Sequence, residues 1–415
     1  MAKVHLVTRM RAAALLGPAL VAGVAYLDPG NVASNMTAGA RYGYLLVWVV
    51  IAGNVMAWLI QYLSAKLGLV TGRSLPEVLG ERIRSRWARR AFWLQAELVA
   101  MATDIAEVLG GAVALNLLFG IPLIYGGVIT GAVSIALLAV HSRRGPRHFE
   151  FVIIGLMAVI VIGFVAGLFV APPDPAGIAG GMLPRFTDSG SVLLAASILG
   201  ATIMPHAIYA HSALARDRFA PGPDAESRPR PSLRTLLTVT RWDVTIAMVI
   251  AGSVNLAILL LAAANLAGVS GTDSLEGAHA AITANLGGLI GTLFAVGLLA
   301  SGLASTSVGA YAGAEIMHGL LTIRIPLLAR RVVTLIPALI ILGIGFDPTL
   351  ALVLSQVVLS FGIPFALIPL IALTSQRRTL GEHVNSRLTT ILGIVFAVLL
   401  ITLNAVLLWL VLTGA

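Results

Sequence analysis

Long apolar runs alternate with short polar breaks along almost the whole chain. Eleven of these runs, centred near residues 24, 56, 105, 130, 160, 203, 253, 303, 339, 362 and 400, approach the roughly 20 residues a helix needs to cross a bilayer core of about 30 Å. The pattern predicts an all-α polytopic membrane protein. The first run begins after a basic start and ends in "AGVA", as a secretory signal would, but Pro18 interrupts it, so we expect a retained first span.

Two of the runs are broken in the middle. In span 1 the apolar stretch 12–27 meets Asp28, Pro29, Gly30 and Asn31 together. An acid in hydrocarbon is costly, and proline removes a helical hydrogen bond. In span 6, "SVLLAASILGATIMPHAIYAHSALA" carries Met204, Pro205 and His206 at its centre. Breaks in matching positions of two halves are the sequence mark of a repeat-built carrier with its site between them. The expected organisation is two five-helix repeats, at about 12–171 and 191–374, with an extra helix at about 388–412 in one transmembrane domain.

Composition supports this and leaves little else. Residues are 58% hydrophobic and 11% charged, where soluble domains carry about 25% charge. The segment 171–190 reads as an external Pro/Gly-rich loop and 216–234 as a cytoplasmic linker; neither resembles a folded domain. With no cysteine, disulfides and thiolate ligands are excluded. The net charge of +9 is explained by topology. Lys3, Arg9 and Arg11 lie in the tail, Arg73, Arg82, Arg84, Arg86, Arg89 and Arg90 between spans 2 and 3, and Arg143, Arg144 and Arg147 between spans 4 and 5. Arg216, Arg218, Arg228, Arg230, Arg234 and Arg241 lie between spans 6 and 7, and three more basic residues follow each of spans 8 and 10. The other side holds Arg41 and Arg185. This positive-inside asymmetry puts the N-terminus in the cytoplasm and the C-terminus outside, and removes nucleic acid as a partner.

Candidate chemistry sits at the breaks. Opened helices present free carbonyls and negative half-helix ends that suit a cation. Asp28 offers a charged oxygen, Asn31 an amide oxygen, Met204 a thioether, and Ala25 and Ala201 the carbonyls that lose helical partners. Oxygen alone suits Mg²⁺ or Ca²⁺; adding sulfur shifts preference toward Mn²⁺, Fe²⁺ and softer ions. The competing role for Met204 is gap-filling in the core. In span 3, Glu97, Asp104 and Glu107 share one helical face, as intramembrane proton relays do. They could instead pair with Arg330 and Arg331, which could also be simple positive-inside flanks. His206 is placed to accept a proton or bind metal; His211 is an uncertain second, and Gln356 a tentative amide ligand. No His-Glu-x-x-His, phosphate-binding glycine loop or Gly-x-Ser-x-Gly elbow occurs, so no enzyme and no catalytic residue is expected.

These motifs resemble a known family. "DPGN" in span 1 and "MPH" in span 6, with "ELVAMATDIAEVLG", "LLASGLASTSVGAYAG", "IPLLARRVVTLIPA" and "LVLSQVVLSFGIPFALIPL", are similar to the bacterial members of the Nramp (natural resistance-associated macrophage protein) divalent-metal transporters. The resemblance implies a LeuT-type fold of two inverted five-helix repeats plus an eleventh helix. It implies proton-coupled import of Mn²⁺ and Fe²⁺, with Co²⁺, Cd²⁺ and Zn²⁺ handled to varying degrees, in the cell membrane. The metal is cargo, with no cofactor and no obligate protein partner. By this match Asp28, Asn31, Met204 and the Ala25 and Ala201 carbonyls coordinate metal, with Gln356 approaching in some states. Asp28, His206 and Glu107 head the proton route, and Asp104, Arg331, Arg330 and Glu97 lead it inward. Ala207 and Leu303 depart from the family pattern, where Asn and Gln are common. Met204 argues against the magnesium-transporting relatives. The alternatives from the residues are an organic-substrate symporter of the same fold, a passive channel and an intramembrane metalloenzyme.

Overall fold

The computed structural model describes residues 17–144, 146–219, 232–322 and 327–414. The tail with Lys3, Arg9 and Arg11, the linker residues 220–231 and the side chains of Arg143, Arg144 and Arg147 lie outside the described residues. Every predicted centre falls within or between helices of one bundle. Eight described helices are long and apolar enough to cross a membrane: Val47–Thr71 (span 2), Arg86–Phe119 (span 3), Val152–Val170 in span 5, Ser189–Phe219 (span 6), Leu233–Asn265 (span 7), Gly288–Leu321 (span 8), Pro348–Thr374 (span 10) and Arg387–Thr413 (span 11). The remaining three are described as follows: span 1 is divided into Pro18–Ala25 (1a) and Pro29–Tyr42 (1b), span 9 is described over Leu327–Gly343, and span 4 is the helix Leu123–Arg144.

Short helices missing from the sequence reading cover the loops. Leu75–Arg82 begins with Ser74 accepting from the Glu77 amide while Glu77 accepts from the Ser74 amide, a reciprocal cap that starts a helix without tertiary help. Pro175–Gly181 lies within the segment 171–190, and Leu275–Leu286 joins spans 7 and 8.

Burial separates the centre from the rim. In its most apolar stretch span 6 is 94% buried inside the bundle, whereas span 11 is 28% buried and shows Leu388, Ile391, Val395 and Trp409 to its surroundings. Half-helix 1b packs on span 7, 6a (Ser189–Thr202) on span 10, and 6b (Pro205–Phe219) on span 2. The two broken helices are therefore enclosed by unbroken ones, which is where non-helical backbone can exist at membrane depth.

Candidate metal site and polar track

Both breaks follow from the same local chemistry. The Ala25 carbonyl would receive its helical bond from residue 29 and the Ala201 carbonyl from residue 205. Both positions are proline, which has no N–H. Half-helix 1a closes on two short turns, the Tyr26 and Leu27 amides returning to the Gly23 and Val24 carbonyls at 3.1 and 3.0 Å. Asp28 then caps 1b, accepting from the Asn31 amide at 2.8 Å. In span 6 the chain leaves the helix at Ile203, whose amide returns to Leu199 at 2.8 Å, and Pro205 opens 6b.

The two breaks meet. Asn31 Nδ2 donates to the Tyr26 carbonyl at 2.5 Å and to the Ala201 carbonyl across the gap at 3.4 Å. Gln356 Nε2 donates to Asp28 Oδ2 at 3.1 Å. It comes that close because Gly30 has no side chain: a Cβ there would collide with the Gln356 amide. Asp28, Asn31, Ala25, Ala201, Met204 and Gln356 are all buried. Ser34 Oγ and Ser197 Oγ, 2.6 Å apart, tie 1b to 6a, and Ser197 donates to the Val353 carbonyl of span 10 at 3.1 Å. Among the described residues no group of three His, Asp or Glu side chains is arranged to hold a metal. A cation at the breaks would rest on one carboxylate, amide and carbonyl oxygens and the thioether.

The span 3 acids form a continuous ion-pair chain with span 9. Arg331 Nη1 lies 2.8 Å from Asp104 Oδ1 and 3.1 Å from Glu107 Oε2; Arg330 Nη1 lies 3.1 Å from Asp104 Oδ2, and Arg330 Nε donates to Glu97 Oε1 at 3.0 Å. Arg331 is further held by Ser134 and Thr306. Both arginines are buried, so they are corrected from possible flanking charges to bundle residues, and the positive-inside count after span 8 loses them. Gly313 makes the room, since a Cβ there would strike the Arg330 guanidinium.

His206 stands at the start of 6b with Nδ1 3.2 Å from Thr103 Oγ1 of span 3, and so bridges the break to the acid-bearing helix without touching an acid directly. His211 belongs to a different group: its Nδ1 lies 2.7 Å from Gln61 Oε1 of span 2, and Gln61 Nε2 reaches the Tyr26 hydroxyl at the break. Of the family departures, Ala207 is buried in 6b and Leu303 half-buried in span 8.

Sequence reading missed the residues that satisfy the opened backbone. Asn255 of span 7 donates to the Tyr26 carbonyl at 3.1 Å, and Ser301 of span 8 donates to the Leu27 carbonyl. The usable signal was polarity: Gln61 and Asn255 are amides in the middle of apolar runs.

Two facing interrupted helices inside a many-span bundle define the class of membrane carriers with discontinuous helices. The chain belongs to the Nramp family: the model for natural resistance-associated macrophage protein-like sequences matches residues 19–410. It is 60% identical over 400 residues to a protein of Mycobacterium tuberculosis named divalent metal cation transporter MntH, covering 96% of this chain and 92% of that one. It is 46% identical to the Bacillus subtilis protein of the same name, over 94% of this chain and 90% of that one. The Eremococcus coleocola manganese transporter superimposes with a TM-score of 0.83 at 31% identity, covering 95% of this chain and 86% of that one. MhsT, solved with L-phenylalanine, shares only the fold, with a TM-score of 0.61 at 13% identity over 95% of this chain and 97% of that one. The LeuT-type fold expected from the sequence is thereby borne out.

Proposed function

We propose that the chain imports divalent transition-metal ions, Mn²⁺ and Fe²⁺ foremost, together with protons, by alternating access across the cell membrane. The observation that carries this is the meeting of the two breaks: Asn31 spans from the Tyr26 carbonyl to the Ala201 carbonyl, beside Asp28 and with Met204 buried in the second break. The names of the relatives from Mycobacterium tuberculosis and Eremococcus coleocola support the metal. The softness of the thioether supports Mn²⁺ and Fe²⁺ over Mg²⁺ and Ca²⁺.

In this reading the cation binds Asp28, Met204 and the Ala25 and Ala201 carbonyls. The Asn31 amide, which now presents its nitrogen to the carbonyls, turns its oxygen toward the ion. Gln356 gives up its bond to Asp28, and its Oε1, without a hydrogen-bond partner among the described residues, becomes available as a ligand. Asp28 holds either the metal or a proton. His206 and Thr103 lead from the break to span 3, where Glu107, Asp104, Arg331, Arg330 and Glu97 form the inward route. His211 stands apart from this route and joins the break through Gln61 and Tyr26. The repeats at about 12–171 and 191–374 rock against each other, with the N-terminus inside and the C-terminus outside.

The test is Mn²⁺ uptake into proteoliposomes under an imposed pH gradient. Uphill accumulation driven by protons, lost in Asp28→Ala, is the expected result. Uptake that never exceeds equilibrium would mean a channel, and transport of amino acids without metal would mean the organic-substrate carrier.

A further inference from the structure

Outside the transport site, the outer face of the bundle carries a groove between spans 2 and 7 whose chemistry is unlike its surroundings. It encloses about 490 Å³ and is lined by Trp58, Tyr62, Leu237, Thr238, Arg241, Trp242 and Thr245. The Arg241 guanidinium lies 5.6 Å from the centre of the Trp58 ring. That ring is fixed in turn, because Trp58 Nε1 donates to Thr245 Oγ1 at 2.9 Å and Thr245 Oγ1 donates to the Arg241 carbonyl at 2.8 Å. Among the described residues Arg241 makes no ion pair, whereas Arg216, Arg330 and Arg331 each have carboxylate partners. The neighbouring acid, Asp243, is turned inward, where it accepts from the Gly17 and Ala19 amides at the start of 1a.

The depth of the groove is informative. From 244 to 263 span 7 has no charged residue, and those 20 positions rise about 30 Å, the thickness of a bilayer core. Arg241 and Trp242 therefore stand at the margin of the hydrocarbon, where aromatic side chains and snorkelling cations meet headgroups. Deeper along the same faces, Val55 on span 2 and Ile246 and Val249 on span 7 are exposed and apolar. A cation with no counter-ion among the described residues, at headgroup depth, set beside an indole and continued by an apolar track, matches one amphiphile: a phosphate with acyl chains attached.

We propose that this groove binds one anionic phospholipid, its phosphate on Arg241 and its chains along Val55, Ile246 and Val249. A guanidinium pairs with phosphate through two parallel hydrogen bonds, and the ring beneath it holds the fork in place. The assignment to the inner leaflet rests on the inside N-terminus proposed above; binding itself does not. Occupancy would clamp span 2 to span 7, the span whose Asp243 accepts from the Gly17 and Ala19 amides at the start of 1a.

The test uses the full chain purified in detergent and in phosphatidylcholine nanodiscs, with phosphatidylglycerol as the probe. Native mass spectrometry should show the wild type retaining one phosphatidylglycerol more than Arg241→Gln. Added phosphatidylglycerol should raise the melting midpoint of the wild type only. The loss of a charge-assisted pair corresponds to roughly tenfold weaker retention. Thr238→Glu, which puts a carboxylate at the mouth of the groove on an exposed position, should lose the same lipid and decides the matter if Arg241→Gln fails to fold. Equal retention in the wild type and the folded variants overturns the proposal, as does equal protection by inorganic phosphate.

Discussion

The two breaks share a cause and differ in construction. Each begins where a proline leaves a carbonyl four residues earlier without a donor. At the span 1 break the two carbonyls that follow Ala25 are met from three directions: Tyr26 O by Asn31 and Asn255, and Leu27 O by Ser301. At the span 6 break the Ala201 carbonyl is met at 3.4 Å by Asn31, which belongs to the other break. Charge explains the asymmetry. A buried carboxylate and open peptide groups are expensive unless every polar atom near them is held. Asp28 sits in the first break and demands such a cage, whereas the Met204 thioether demands almost none. The first break is the more heavily braced of the two, and the second is tied to it through Asn31.

The largest test of that contrast removes the acid. Asp28→Ala should reduce the initial rate of Mn²⁺ uptake in proteoliposomes by more than the 10- to 100-fold, roughly, that losing an outer-shell partner costs a metal site. Uptake within about tenfold of wild type would place the charge elsewhere. Met204→Ala should reduce Mn²⁺ uptake less, about tenfold at most, while relaxing discrimination against Ca²⁺ and Mg²⁺ by more than that. Competition of Ca²⁺ with labelled Mn²⁺ reads the ratio. Unchanged selectivity would return Met204 to gap-filling.

A stability comparison sharpens the same point on the backbone. Ser301→Ala leaves the Leu27 carbonyl buried without its donor, which should destabilise by about 1–3 kcal/mol. At the second break, Thr202 donates to Ile198 O within its own helix, at 2.7 Å. Thr202→Val should therefore change stability by about 0.5 kcal/mol or less, since the carbonyl keeps its helical N–H. Thermal midpoints in one detergent measure both. Equal losses would mean that the second break is caged as firmly as the first.

What the sequence disclosed follows the same division. The breaks were legible because their causes are local: Pro29 and Pro205 remove donors whatever surrounds them, and Asp28 in an apolar run needs a reason. The acids of span 3 were legible as one face because seven and ten residues bring a helix back near its starting direction. The cage was not legible, because Asn255 and Ser301 are hundreds of residues from the carbonyls they satisfy. Arg330 and Arg331 were ambiguous for a related reason. A basic pair at the mouth of a span has the same local pattern whether it faces water or, as here, two buried acids and a half-buried third. Gln61 joined His211 to Tyr26 through packing of span 2 against 6b, which no motif encodes.

The smallest effect is expected where the two broken spans touch at their outer ends. Tyr42, the last residue of 1b, donates its hydroxyl to Asp188 Oδ1 at 2.7 Å, and Asp188 caps 6a by accepting from the Ser191 amide at 2.7 Å. The Tyr42 hydroxyl first, and the Ser191 amide with it, hold the Asp188 carboxyl below the usual carboxylate range. A carboxyl depressed in the folded protein contributes stability above its unfolded value, near 4, and loses that contribution as pH falls through the folded one. Asp188 is exposed, so solvent screens the effect. Tyr42→Phe should lower the melting midpoint slightly at neutral pH and leave Mn²⁺ uptake within about twofold, as surface changes usually do. Its difference from wild type should shrink as pH is lowered below about 4, because both proteins then carry a protonated Asp188. Paired melting curves across that range decide the sign: a gap that widens in acid would show that 1b and 6a are joined at these ends by something other than this carboxylate.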